Sequence, residues 1–326
     1  MTKVDFDNGK TTNGSKPLVT IFTCIYNRKT TIQRVFSSVR NQTYFNIEHV
    51  LVDDGSTDGI QSVLEKYAVE SNYPVKIVYK ENGGKHTATN VAWDIATGEY
   101  VIQLDSDDEL LPDAIEYMVS LWMKIPDDMK SQYWCVQARC CTQNNKKMYG
   151  EPYPDSINFE SFNMARSIAS NIKGEKVGLM KREVLNDYRY PIPIGVKFVS
   201  ESVVWKQINL KYRTWYSNRI VRIYYVEEGD SLAKQKMSRQ TLSNRCWNAK
   251  WNIQHRKKYK CKWMKELIRY CCYYYNTTEI YKINNGYRIC DFQYDPLIFI
   301  LSEVMKLPCF LGKKALARYL KLEEVK

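Results

Sequence analysis

The chain has 326 residues, 44% hydrophobic and 26% charged, a balance that excludes disordered and collagen-like chains and is ample for a full apolar core. At roughly 100–200 residues per domain, one large domain with an appendage, or two domains, is expected. No run of about 18 apolar residues argues for a spanning helix, and the polar stretch 1–16 does not read as a secretory signal.

Leu18 to Cys24 reads as an apolar strand that ends at the turn-prone Tyr26-Asn27-Arg28, and Thr30 to Arg40 then has helical spacing through Ile32, Val35, Phe36 and Val39. Ile47 to Val52 is the next strand, stopped by Asp53-Asp54-Gly55, with a helix over Ile60 to Val69. Val75 to Tyr79 is a third strand, the Asn82-Gly83-Gly84 turn follows, and Thr87 to Ala96 reads as helix. Glu99 to Leu104 is a fourth strand, ending at Asp105-Ser106-Asp107-Asp108. Short apolar strands alternating with helices predict a parallel sheet covered by helices, with ligands at the carboxyl ends of the strands. Beyond Pro112 the expectations are a helix at Ala114 to Lys124, strands at Tyr133 to Cys141 and Val177 to Met180, and a loop from Asn144 to Ser156. A helix at Ser200 to Tyr212, a strand at Arg219 to Val226 and a helical C-terminal region complete the series.

Ten cysteines, two adjacent pairs among them (Cys140-Cys141 and Cys271-Cys272) and no C-x-x-C, read as reduced thiols rather than a disulfide scaffold. Only His49, His86 and His255 occur, without zinc-site spacing, so a metal here would be held by oxygen. The net charge of +12 is uneven: residues 231–270 hold 12 Lys/Arg against the single acid Glu266, while residues 1–230 are close to neutral. Such a segment, with Trp247, Trp251 and Trp263, suits an anionic lipid surface or a polyanion, and equally a solvated helix face. Apolar residues at Leu297 to Leu301 and along Leu311, Leu316, Tyr319 and Leu320 add an amphipathic pattern that favours a membrane surface.

The Asp105-Ser106-Asp107-Asp108 turn puts carboxylates close together after a strand, a set that suits Mg²⁺ or Mn²⁺ shared with substrate phosphates; a plain turn or helix cap is the bland reading. Asp54, Ser56, Asp58, Gly59 and Glu65 mimic the spacing of a calcium-binding helix-loop-helix loop, but the segment is entered from a strand, which fails that motif's context. Neither common glycine-rich phosphate loop is present. Lys85, beside Gly83-Gly84, could meet a diphosphate.

Four blocks in order, Val19 to Arg28 (VTIFTCIYNR), Val52 to Gly59 (VDDGSTDG), Asn82 to Asn90 (NGGKHTATN) and Gly98 to Pro112 (GEYVIQLDSDDELLP), resemble the family 2 glycosyltransferases of GT-A fold over residues 17–230. The resemblance implies a Rossmann-like α/β nucleotide-binding sheet with flanking helices over 17–230, after a polar tail at 1–16 and before a basic, mostly helical region at 231–326. It implies inverting, Mn²⁺- or Mg²⁺-dependent transfer from a nucleotide diphosphate sugar, a UDP-sugar, to a saccharide or lipid-linked hydroxyl in surface polysaccharide synthesis. Carried over, Cys24 and Tyr26 line base and ribose, Asp54 meets the uracil with Asp53 beside it, Asp105 lies near ribose and metal, and Asp107 ligates the metal. The base falls on Glu201 in Ser200-Glu201-Ser202-Val203-Val204-Trp205-Lys206, where the family usually shows Glu-Asp. The processive Q-x-x-R-W signature is missing, so one sugar per encounter is expected, in the cytoplasm at the inner face of a membrane and with no nucleic-acid partner. A sugar-phosphate nucleotidyltransferase would want a glycine-rich loop where Tyr26-Asn27-Arg28 stands, and a non-enzymatic polyanion or membrane binder would leave the strand-end carboxylates unexplained.

Overall fold

The computed structural model describes residues 1–6, 16–144, 146–154, 172–226 and 239–255. Two compact units result, one of Met1–Pro191 with Val204–Glu227, the other of Ile192–Val203 with the chain from Glu228 onward. Most of the basic segment and the apolar stretches near Leu297 and Leu311 lie outside the described residues.

The strands of the first unit are β1 (Thr2–Phe6), β2 (Val19–Ile25), β3 (Ile47–Asp53), β4 (Val75–Tyr79), β5 (Tyr100–Gln103), β6 (Glu109–Leu110), β7 (Tyr133–Thr142), β8 (Lys176–Lys181) and β9 (Arg213–Tyr224). They form one sheet in the order β1-β4-β3-β2-β5-β8-β7-β9-β6. The helices are α1 (Ile32–Arg40), α2 (Gln61–Glu70), α3 (Lys85–Ile95), α4 (Ala114–Lys124), α5 (Arg182–Leu185) and α6 (Ser202–Ile208), with α7 (Arg239–Gln254) in the second unit.

The expected parallel arrangement holds for β2, β3, β4 and β5, whose carboxyl ends therefore share one edge. It does not hold for the whole sheet: β1 runs antiparallel to β4, β8 is antiparallel to both β5 and β7, and β6 is antiparallel to β9. Strand direction is set by the route of the connection, which apolar periodicity does not report. Thr2–Phe6, read as part of a polar tail, is an edge strand; its alternation is too short to stand out from polar neighbours. β9 begins at Arg213 rather than Arg219, and its pairing with β7 carries register shifts that break a simple alternation. α6 ends at Ile208, with hydrogen-bonded turns continuing to Tyr212.

The helical faces read from spacing are the ones buried: Ile32, Val35, Phe36 and Val39 of α1, and Leu64 and Tyr67 of α2. Burying each such side chain contributes about 1.5–3 kcal/mol. Phe36 stacks on Tyr67 with ring centroids 3.6 Å apart, joining α1 to α2. α3 packs on β2 and β3, and α4 on β7 and β9. All seven residues of β3 are buried, so its three polar members, Glu48, His49 and Asp53, need partners. His49 has Tyr67 Oη 2.8 Å from Nδ1 and Thr23 Oγ1 3.2 Å from Nε2, and burial pulls its pKa down to about 3, so the ring is neutral.

Glu48 ties four segments together. Its carboxylate accepts from Thr20 Oγ1 (2.5 Å), Lys76 Nζ (2.6 Å), Thr97 N (2.6 Å) and Thr97 Oγ1 (2.7 Å). Burial alone would raise its pKa, but the Lys76 ammonium and the threonine donors outweigh that and hold it below the ordinary 4.5. A depressed folded-state pKa means stability that is present above the unfolded value and lost as pH falls through the folded one. Glu48→Gln is therefore expected to cost about 1–3 kcal/mol at pH 7 by removing the counter-charge of the partly buried Lys76, which keeps Ile95 O and Thr97 Oγ1 as acceptors. In paired thermal melts the gap to wild type should narrow in acid; a gap independent of pH would refute the assignment.

Candidate functional site

The turns after β2 and β3 are laced to each other. Asn27 takes a left-handed conformation (φ 52°) and accepts from Thr57 N at 2.8 Å through Oδ1, while its own N–H donates to Ser56 Oγ at 2.9 Å. Asp58 accepts from Lys29 N (2.8 Å) and Ile60 N (3.2 Å), and Glu65 accepts from Tyr79 Oη at 3.3 Å. The acids that mimic a calcium loop are thus directed to separate protein partners.

Asp53 and Asp54, adjacent in sequence, do different things. Asp53 shapes its own turn, with Oδ1 accepting from Ser56 N (2.9 Å) and Oδ2 from Gln61 Nε2 (2.8 Å). Asp54 reaches across to the loop after β4: its Oδ1 accepts from Lys80 Nζ (2.5 Å) and Gly83 N (2.9 Å), and its Oδ2 from Gly84 N (2.7 Å). Gly55 (φ +79°) permits this approach, because a Cβ there would stand 2.7 Å from Asn82 N.

Lys85, the first residue of α3, donates from Nζ to Asp105 Oδ1 at 2.8 Å, and Gln103 Nε2 donates to the same oxygen at 2.9 Å. Consecutive residues Gly84 and Lys85 therefore hold the carboxylates that follow β3 and β5. Burial would raise the Asp105 pKa, but Lys85 and Arg222 hold it well below the usual carboxylate range. Asp107 is half-buried, with a long 3.9 Å ion pair to Arg28. Burial and the negative charge of Asp105 raise its pKa, against the pull of Arg28 and Lys85. The turn itself is pinned from α1 and the residue before it: Thr31 Oγ1 donates to Ser106 O (3.1 Å) and Arg34 Nη1 to Asp107 O (3.1 Å).

Cys24 turns its sulfur toward α3, 3.6 Å from Thr89 Oγ1, and burial pushes the thiol up to about 12, so it is not a nucleophile at neutral pH. Tyr26 is exposed at the end of β2. The structure thus brings Cys24, Tyr26, Asp53, Asp54, Lys85, Asp105 and Asp107 to one sheet edge. Glu201 belongs to the second unit, exposed, directly before α6.

Sequence reasoning missed Arg222 and underused Asp108. β6 pairs with β9 so that Leu110 faces Arg222, which places the buried guanidinium 3.5 Å from Asp105 Oδ2, 3.5 Å from Asp108 Oδ2 and 3.6 Å from Glu175. Asp108 is fully buried; Tyr225 N donates to its Oδ1 at 3.0 Å, and burial, outweighing Arg222, pushes its pKa up to about 7. An arginine in mid-strand carries no local signal. Lys80, one residue past β4, was findable by the strand-end rule that exposed the others.

Among the described residues, no group of three or more His, Cys, Asp or Glu side chains is arranged to hold a metal ion alone. The donors that are present suit a hard cation completed by substrate. Asp107 carries a charge that burial and Asp105 both oppose, and it sits beside a second carboxylate, leaving positions for diphosphate oxygens and water.

The glycosyl transferase family 2 model matches residues 20–188. Over 108 residues, a third of this chain, the sequence is 43% identical to the chondroitin synthase of Pasteurella multocida, and that stretch spans only 11% of the synthase. It is 26% identical over 235 residues, 72% of this chain and 84% of the relative, to TuaG of Bacillus subtilis, named for teichuronic acid biosynthesis. Among solved structures, the mannosyltransferase PcManGT from Pyrobaculum calidifontis, in complex with GDP-Man and Mn²⁺, matches with a TM-score of 0.50 at 25% identity over 74% of this chain and 64% of that one. S. aureus TarS 1-349 in complex with UDP-GlcNAc matches with a TM-score of 0.55 at 17% identity, over 90% and 81%, a likeness of fold.

Arg222→Met should leave Asp108 and Asp105 without their shared cation and destabilise the fold more above pH 7, where Asp108 is ionised, than below it, while adding Asp108→Asn to that variant should restore part of the loss. Urea unfolding of the four proteins of this cycle checks it, and strictly additive effects would contradict it.

Proposed function

The chain belongs to glycosyl transferase family 2, and from that premise we propose that it transfers a sugar from a UDP-sugar, with inversion, to a hydroxyl of a saccharide or lipid-linked acceptor in surface polysaccharide synthesis. The observation that carries this reading is the joint at Gly84 and Lys85, which fixes Asp54 and Asp105 on one edge of the parallel strands. The GDP-Man and Mn²⁺ held by PcManGT support the donor class and the cation.

In this reading residues 17–230 form the catalytic domain. Tyr26 and the Cys24 backbone line the base and ribose, and Asp54, oriented by Lys80 and two glycine amides, keeps one lone pair, on Oδ2, for the uracil, with Asp53 shaping its turn. Lys85 faces the diphosphate. Asp107 and Asp105 would hold Mn²⁺ or Mg²⁺, which when bound supplies positive charge to the departing nucleoside diphosphate. Glu201 accepts the proton of the attacking hydroxyl. Entry of that hydroxyl opposite the leaving group gives inversion in a single displacement.

Among the described residues no helix is long and apolar enough to cross a membrane. The basic segment 231–270 is proposed to meet an anionic membrane surface from the cytoplasmic side, where a lipid-linked acceptor would be found.

A thermal-shift screen of nucleotide diphosphate sugars with and without Mn²⁺ tests the donor and the cation, since a ligand of the folded state raises its melting temperature. UDP-sugars are expected to give the largest shift, and Asp107→Ala should abolish the Mn²⁺-dependent part. Glu201→Gln should keep the shift and slow transfer about 10²–10⁴-fold; transfer at wild-type speed would move the base elsewhere. Sedimentation with anionic vesicles at moderate salt should carry the protein down, and failure to bind both anionic and neutral vesicles would remove the membrane assignment.

A further inference from the structure

α7 bears a stripe of amides, Gln240, Asn244, Asn248 and Asn252, at four-residue spacing on one face. Asparagine inside a helix competes with the backbone and weakens it, so such a stripe needs a reason outside the helix. Three of its members bond to main chain just upstream of Glu201, all within the second unit. Gln240 Nε2 donates to Gly195 O at 2.9 Å. Asn244 Oδ1, on a buried residue, accepts from Lys197 N (2.8 Å) and Phe198 N (3.2 Å). Asn248 Oδ1 accepts from Ser200 N (2.8 Å) while its Nδ2 donates to Phe198 O (3.0 Å). The helix thus serves this extended segment as a neighbouring strand would, with side-chain amides in place of a ladder.

We propose that Asn244 and Asn248 are positioning residues for transfer, holding residues 195–200 so that Glu201 leaves the clamp in one fixed direction. This rests on the assignment of Glu201 as the base. The last bond is made at Ser200, one residue before Glu201, and Ser202 N then donates to Ser200 Oγ at 3.4 Å, so the backbone is held immediately before the carboxylate and again after it. A carboxylate displaced by about 1 Å from its proton costs rate without changing how the donor binds.

The test uses the full chain and the nucleotide sugar that gives the largest thermal shift, following nucleoside diphosphate release. Asn248→Ala is expected to lower kcat about 10–100-fold with the donor KM unchanged. It should also speed amide hydrogen exchange at Ser200, whose N–H loses its acceptor, while the β2–β5 strands stay protected. Asn248→Asp, which keeps the acceptor for Ser200 N, should recover part of the rate and guards against a variant that fails to fold. Adding Asn248→Ala to Glu201→Gln should cost little more than Glu201→Gln alone. If Glu201→Gln is slow but Asn248→Ala turns over at wild-type speed, or the two effects multiply, the positioning role is overturned. If Glu201→Gln itself is fully active, the base assignment fails first and takes this proposal with it.

Discussion

The first unit is organised around the need to give partners to several carboxylates gathered at one edge of a sheet. Each is given a fixed partner by a different element: Asp54 by Lys80 and the Gly83 and Gly84 amides, Asp105 by Lys85 and Arg222, Asp108 by Arg222 and the Tyr225 amide. Without these, like charges on neighbouring turns would push the loops apart or take up protons. The compensation is uneven. Asp107, whose ion pair to Arg28 is long at 3.9 Å and whose charge burial and Asp105 both oppose, is the carboxylate for which an added cation gains most.

That arrangement is fixed before any ligand arrives because the compensating groups are borne by packed elements. α3 lies on β2 and β3, so the positions of Gly84 and Lys85 follow from its packing and not from the loop that precedes it. Arg222 is delivered by the pairing of β9 with β7 and β6. The motif turn is further tied to α1 through Arg34, whose guanidinium also stacks 4.0 Å over the Tyr225 ring. Under the proposed function, preorganisation of this kind means that binding a donor need not first order the groups assigned to receive it.

Much of this edge was legible in the residues. β2 to β5 are apolar runs stopped by turn-forming residues, and in a parallel sheet the stops fall together, so Asp54, Lys85, Asp105 and Asp107 could be named from strand ends alone. What escaped depends on contacts distant in sequence. Nothing in Val177 to Met180 states that its strand runs against β5, and nothing in Arg222 distinguishes it from an exposed arginine. Asp53 and Asp54 carry the same side chain, and it is the backbone that turns one into its own loop and the other toward the amides before α3. The amide stripe of α7 gives no apolar periodicity, because the face that binds the chain there is polar.

The departure of Ser200-Glu201-Ser202 from the family's Glu-Asp pattern has a physical counterpart in its surroundings. A companion carboxylate would add negative charge beside the group that must accept a proton, and like charge disfavours the ionised form a base requires. Here the neighbouring positions are serines whose hydroxyl oxygens lie 3.0 Å apart, and the preceding backbone is bonded to Asn244 and Asn248. Neutral hydroxyls and amides can fix direction as firmly as an ion pair. Under the proposed role, a single acid in a clamped segment is a coherent way to build a base, and it would give α7 a reason to spend its asparagines on main chain and not on its own stability.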